Sequence, residues 1–377
     1  MTTKKVMVSG CFDLLHSGHI KFFKTASEYG NLYVFIGKDQ NILDLKGKAP
    51  YYSEKERLYL VNSIKYVFSA KIASGNGMLD FIEDMKNLKP DIFIVNQDGD
   101  TAEKKNLCNK LNVKYIVLDR KPEEGLIKRS STKIKEETAI PYRICLAGGW
   151  LDQPWVSSIH NGSVIVAQII PSYDFNLRSG MATSSRNTAF QLWSKAPSGD
   201  PIRNARLLFG AENPPGSKYI SGSQDQIGIL LPGINKLYYK GEFWPESIVS
   251  CIDKETCDWL SSVIKLIPLK PRPEKYNPLI EKNLKSNLVM KLAESAELCF
   301  ESIIKKDIKG LGNSLTNTFR AWKEILPNTI PNNVMVEMEK KYINKYYGAT
   351  TSGSGGGYAI VVSDIPVTGA IDIKIKI

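Results

Sequence analysis

Short runs of β-branched and aromatic residues alternate with amphipathic stretches from Lys5 to Asp119. The runs KVMVS, NLYVFIG, YVFSAKIA, DIFIVN and KYIVLD read as five strands. Between them, HIKFFKTASEYG, SEKERLYLVNSI, GMLDFIEDMKNLK and EKKNLCNKLN carry apolar residues at helical spacing, and Ser53 followed by Glu56 forms a capping-box pattern. Such alternation predicts an α/β domain, a doubly wound Rossmann-like parallel sheet with helices on both faces. The charged segment STKIKEETAIPYR ends the pattern, and beyond Pro141 come longer apolar strands, Gly- and Ser-rich loops and more Trp. The expected domains are therefore 1–138 and 139–377. In the second, an α+β domain, PYRICLAGG, SVIVAQIIP and LYYK read as strands, and PESIVSCIDKETCDWLSSVIKL and LVMKLAESAELCFESIIKKD as helices. YAIVVSD and IDIKIKI read as closing strands, PLKPRPEKYNP as a spacer between helices, and no internal repeat is visible.

Composition adds little to this picture but excludes some classes. The chain has 377 residues, of which 42% are hydrophobic and 24% charged, which is enough apolar material for packed interiors. Its net charge of +11 is scattered among acidic neighbours rather than massed in a stripe, so nucleic acid is not an expected partner, whereas small anionic substrates are. Six cysteines are widely spaced, without the close pairs of a zinc or redox site, and read as reduced thiols. No apolar run approaches a membrane span and no leader pattern precedes the first strand, so the expected location is cytoplasmic, without membrane partners. A homodimer is the commonest assembly for such a protein.

Candidate chemistry begins in GCFDLLHSGH, Gly10 to His19, where two of the chain's three histidines flank a glycine behind the first strand. A turn that enters a helix presents N–H groups and a dipole to anions. Metal ligation would need a further Cys, Asp or His at matching spacing, and none joins the pair, so no metal site of protein ligands is expected. GCFDLLHSGHIKFF resembles the HxGH signature of the cytidylyltransferases, with a likeness to glycerol-3-phosphate cytidylyltransferase that continues through LKGK, YYSEKERLYLVNSIKYV and RSSTKIKEE. The resemblance implies that His16 and His19 contact the triphosphate and stabilise charge on the transferring α-phosphate. It assigns Lys46 to the pyrophosphate side and Ser131 and Thr132 to the β- and γ-phosphates, and adds Gly10, Phe12, Asp13, Arg57 and Arg129 to the nucleotide-binding set. Asp13 could instead cap its own turn and Arg57 could form an ion pair. The link RKPEEGLIKRSST is longer than in the family, which leaves the arginine's role open between Arg120 and Arg129.

Three stretches of the second domain, PYRICLAGGWLDQPW, RSGMATSSRNTAF and GATTSGSGGGYAI, gather small residues that let a backbone wrap an anion. Together with GSQDQIG they resemble the GHMP kinases, and RICLAGGWLDQP is similar to the fucokinase and heptose-phosphate kinase branch. That likeness implies that Asp225 accepts the proton of a sugar hydroxyl and that Arg143 stabilises the transition state or holds Asp225 ionised. Asp152 would bind sugar hydroxyls, Ser184 and Ser185 would cradle ATP phosphates, and Gly353, Gly355 and Gly356 would let the last loop approach substrate. SGMATSSRNTA departs from the family: Ala182 stands where glycine is usual and Arg186 where a small residue is, so the loop could demand another backbone geometry or crowd ATP. The combined expectation is a bifunctional enzyme of nucleotide-activated sugar synthesis, an ATP-dependent sugar kinase plus a CTP- or ATP-using nucleotidyltransferase, with Mg2+ accompanying the triphosphates. The alternative is a single-activity cytidylyltransferase whose second half binds sugar or mediates assembly.

Overall fold

Val6 and Val8 face one side of strand β1 (Lys5–Gly10) and Met7 the other, and all three are fully buried. An unbroken apolar run suits a strand covered on both faces. In the computed structural model, which describes residues 3–46, 49–131, 134, 138–172, 175, 180–270 and 276–377, β1 is the middle strand of a parallel five-stranded sheet. Its order is β3-β2-β1-β4-β5, with β2 Asn31–Ile36, β3 Ser69–Ile72, β4 Ile92–Asn96 and β5 Lys114–Leu118. Strand order reverses at β1, which opens a crevice beyond the carboxyl ends of β1 and β4. The helices are α1 Ser17–Ser27, α2 Asp39–Lys46, α3 Glu54–Asn62, α4 Ile82–Leu88 and α5 Ala102–Lys110. Ser53 caps α3 by accepting from the Glu56 N–H at 3.3 Å, as its capping pattern predicts. By contrast α2 buries only Asn41 and Ile42, so no apolar stripe announces it.

These elements form one of two compact units, Met1–Glu137; the other is Thr138–Ile377. The second unit holds an antiparallel sheet of order β6-β7-β8-β9 (Tyr142–Ala147, Gly162–Ile169, Ile234–Tyr239, Ser247–Cys251). A smaller antiparallel sheet has the order β10-β12-β11 (Ile264–Pro268, Tyr358–Val362, Gly348–Thr351). The stretch PESIVSCIDKETCDWLSSVIKL, expected as one helix, divides into β9, the helix Lys254–Val263 and β10. Asp253 makes the break by accepting from the Thr256 N–H at 2.8 Å, which starts the helix there and leaves SIVSC as a strand. Nor does IDIKIKI form a regular strand: it makes isolated bridges, Ile371 to Leu266 and Ile375 to Ile169. The helix Ile308–Ile325 escapes sequence reasoning because Gly310 and Gly312 interrupt its pattern, yet both serve packing. A Cβ on Gly310 would strike Ser302 on the preceding helix, Ser286–Lys305, and one on Gly312 would strike Tyr347. The spacer segment PLKPRPEKYNP lies partly outside the described residues.

At the carboxyl edge of the first sheet, Arg57 of α3 is wholly buried and donates to four oxygens. Nε reaches the Tyr52 carbonyl at 3.0 Å, Nη1 the Cys11 carbonyl at 2.6 Å, and Nη2 both the Gly37 carbonyl at 2.8 Å and Asp39 Oδ1 at 2.6 Å. One side chain thereby ties together the segments that follow β1 and β2. Replacing it by Met strands buried carbonyls, so Arg57→Met should cost the first unit about 3 kcal/mol. Hydrogen exchange of the β1 and β2 amides should accelerate correspondingly. Tryptophan fluorescence, which reports only the second unit because all six tryptophans lie at or beyond Trp150, should keep its unfolding midpoint.

Candidate functional site

Beyond Gly10 the chain turns sharply through Phe12 and Leu14, both at φ 49°, a left-handed conformation uncommon for such residues. Gly10 sits against the Phe12 ring, which is buried between Phe23 and the edge of His19. His16 is the N-cap of α1, and its Nδ1 accepts from the Gly18 N–H at 3.1 Å. A neutral His16 must then carry its proton on Nε2. Nε2 of His16 and Nδ1 of His19 are buried and, among the described residues, have no hydrogen-bond partner. The two rings stack at 4.0 Å between centroids. Burial, with Arg120 and Arg129 adding to it, holds His16 below its ordinary value. For His19 burial, the neighbouring His16 and Arg120 push the pKa down to about 3. Both imidazoles are thus neutral at pH 7, one of them a ready N–H donor.

Gly18 lies between this pair and a cavity of about 470 Å³ lined also by Phe22, Asn96, Val117, Arg120 and Arg129. A Cβ on Gly18 would press into the His16 ring, which explains the glycine of HSGH; the motif showed it, although it was not among the expected site residues. The structure places both candidate arginines here: Arg120 pairs with Asp98 at 2.6 Å and donates to the Arg129 carbonyl at 3.4 Å. Ser131 Oγ donates to the Asp13 carbonyl at 2.6 Å. Thr132 lies outside the described residues. Lys46 is exposed at the end of α2, and its charge acts on the Cys11 thiol in the turn. Two expected nucleotide contacts are engaged otherwise. The Asp13 carboxylate accepts from the Leu14, Tyr51 and Tyr52 N–H groups at 2.9 to 3.1 Å, and Arg57 is committed to its four oxygens, so both build the frame of the site.

In the second unit a cavity of about 490 Å³ brings together Arg143, Trp150, Asp152, Ser184, Asp225 and Gly353. Arg143, on β6, is buried and forms an ion pair with Asp225, which opens the helix Gln224–Leu230. Its Nε and Nη1 have no partner among the described residues. Asp152 is 4% exposed and accepts from Gln224 Nε2 at 2.9 Å; burial raises its pKa to about 6 against the pull of Gln224 and Arg143. The glycines of GSQDQIG make room for these two side chains, since a Cβ on Gly222 would fall on the Asp152 carboxylate and one on Gly228 on the Arg143 stem.

Ala182 adopts φ 54° at the N-cap of the helix Thr183–Leu192, the left-handed geometry expected only of glycine there. Arg186 does not crowd the cavity: Nε donates to the Ile140 carbonyl at 2.8 Å, and the guanidinium stacks on Tyr142 and Phe190. Ser184 lines the cavity, whereas Ser185 is buried and bonded to Glu212, a residue for which the sequence offered no signal. Ser184 and Asp225, which both line the cavity, offer oxygen donors of the kind a hard cation such as Mg2+ takes. Gly353 packs on Gly180, and Gly353, Gly355 and Gly356 have φ of 132°, 86° and 91°, so the final loop needs glycine to run beside the cavity.

Residues 7–137 match the family model described as cytidylyltransferase-like. The same region is 34% identical over 137 residues to the FAD synthase of Methanobrevibacter smithii, covering 35% of this chain and 88% of that protein. Against the FAD synthase of Pyrococcus abyssi the identity is 33% over 136 residues, covering 33% and 90%. Among solved structures, a D-glycero-D-manno-heptose 1-phosphate kinase from Bacteroides thetaiotaomicron is 14% identical with a TM-score of 0.40, covering 63% of this chain and 94% of the other. The galactokinase of Lactococcus lactis complexed with galactose is 12% identical with a TM-score of 0.42, covering 60% and 85%.

The histidine pair sets a pH dependence of its own. His19 binds its proton less readily folded than unfolded, so its contribution to stability is present above pH 6.5 and is lost as pH falls from 6.5 toward 3. Hydrogen exchange of the first unit's sheet should show a loss of up to about 1.4 kcal/mol for each pH unit below 6.5. In His19→Asn the curve should flatten, leaving the contribution of His16, which burial lowers in the same direction.

Proposed function

Through residues 7–137 this chain belongs to the cytidylyltransferase-like family, and we propose that it carries two transferase activities, nucleotidyl transfer in the first unit and phosphorylation of a sugar hydroxyl in the second. The observation that carries the first is the neutral, stacked histidine pair, its nitrogens unpartnered among the described residues, beside an arginine-flanked cavity. An oxygen of a phosphorylated acceptor attacks the α-phosphorus of CTP or ATP, and the bond to the β-phosphate breaks to release pyrophosphate. His16 Nε2–H donates to the α-phosphate as its charge grows, His19 supports that ring by stacking, and Arg129, Lys46 and Ser131 serve the departing pyrophosphate. Magnesium, when bound with the triphosphate, neutralises part of its charge.

For the second activity the support is the Arg143–Asp225 pair at the cavity, together with a phosphate loop whose Ala182 already holds the left-handed geometry. A sugar hydroxyl attacks the γ-phosphorus of ATP, its proton passes to Asp225, and ADP leaves. Asp152 receives hydroxyls of the acceptor, and Ser184 and the glycines of the last loop border the phosphates. A sugar 1-phosphate made there is a chemically fitting acceptor for the first unit, and a nucleotide sugar the product. The likeness to FAD synthases favours a second reading of the first unit, with a flavin phosphate as acceptor and ATP as donor.

Incubation of the protein with each triphosphate and with free sugars, sugar phosphates or FMN, followed by mass spectrometry, separates these readings: a nucleotide sugar formed from free sugar supports the two-step enzyme, and FAD formed from FMN the second. His16→Ala should lower pyrophosphate release by about 100-fold or more while ATP-to-sugar transfer persists. The reverse is expected of Asp225→Asn. Simultaneous loss of both activities in either variant would contradict two independent sites.

A further inference from the structure

Trp150 holds φ 83°, a backbone conformation rarely adopted by a residue bearing a large side chain. The turn is fixed on both sides, by the Leu151 N–H donating to the Gly148 carbonyl at 3.1 Å and the Gln153 N–H donating to the Trp150 carbonyl at 3.0 Å. Leu151 is thereby driven into the core, while the half-buried Trp150 ring is left on the wall of the second cavity. Backbone strain of this kind persists where surrounding structure over-determines it, and it gathers where ligands are held. Trp155 backs the indole at 5.9 Å between ring centroids.

Opposite in character to this apolar plane are the acceptors of the same cavity. Asp152 accepts one bond from Gln224, and Gln224 Oε1 is buried without a partner among the described residues. Arg143, the only cation among the described residues that line the cavity, is already paired with Asp225. A phosphate carried by the acceptor would therefore meet two carboxylates, Asp152 and Asp225, against that one guanidinium. A flat apolar surface beside acceptors for O–H groups matches a ring that is apolar on its face and hydroxylated at its edge.

We propose that Trp150 determines acceptor specificity in the second unit, as the platform for an uncharged cyclic sugar whose ring face packs on the indole while its hydroxyls donate to Asp152 and Gln224. The binding claim stands apart from the kinase reading, and the reaction it feeds rests on that reading. Calorimetry and ATP-dependent turnover of the full chain, measured with aldohexoses, 6-deoxyhexoses and heptoses, with their phosphate esters and with an acyclic hexitol, test it. Free ring sugars should bind, and the esters and the hexitol about tenfold or more weaker.

Trp150→Gly should raise the acceptor Kd and KM by about tenfold or more and leave the KM for ATP unchanged. Relief of the left-handed strain offsets part of the packing lost against Trp155 and the core, so its melting temperature should fall by only a few degrees. Trp150→Phe should stay within about threefold of the parent by keeping an aromatic face. Equal use of hexitol or esters, an unchanged acceptor constant in Trp150→Gly, or no binding of any ring sugar would overturn the proposal. Sugar binding that follows this pattern without turnover would uphold the platform and sink the kinase reading alone.

Discussion

A guanidinium removed from water must find acceptors inside the protein, and each unit of this chain answers that demand around one buried arginine. Arg57 has four of its five N–H donors engaged by oxygens from the segments after β1 and β2, so it has become part of the frame. Among the described residues Arg143 has one ion-pair partner, Asp225, and two unpartnered donor nitrogens at a cavity. The same chemical group thus acts as a joint in one unit and as an unsatisfied donor in the other. The number of acceptors supplied by the fold decides which.

The titratable groups at the two sites are tuned in opposite directions by the same cause. Burial disfavours charge, which leaves His16 and His19 neutral and raises Asp152 to about 6. Nearby arginines push the histidines further down, whereas Arg143 and Gln224 pull Asp152 back toward ionisation. A neutral imidazole pair can meet a polyanion without first losing a proton. A carboxylate poised near neutrality can accept a hydroxyl hydrogen bond without a dedicated counter-ion.

Much of this was legible in the sequence. Strand–helix alternation announced the first sheet because each apolar run is covered on both faces, and HSGH announced the histidine pair because its glycine leaves space for a ring. Other features lay beyond periodicity. The helix Ile308–Ile325 is hidden by glycines that exist for its packing, and the strand of Ser247–Cys251 by a cap at Asp253 that acts over three residues. Arg57 and Asp13 sit in a motif-rich region and look like ligands, but only coordinates reveal that backbone groups already occupy them. Glu212 could not be found at all, because what marks it is proximity to Ser185 rather than any spacing along the chain.

Gly222 and Gly228 stand on either side of the catalytic candidate Asp225, and each leaves a void already filled by a side chain from the neighbouring strand–loop segment, Asp152 and Arg143. The two segments therefore fit as lock pieces cut to one another. Positions 152 and 143 cannot be altered freely, since any longer or branched replacement must be matched by the chain around Gly222 and Gly228. Change in this half should accordingly run through paired substitutions.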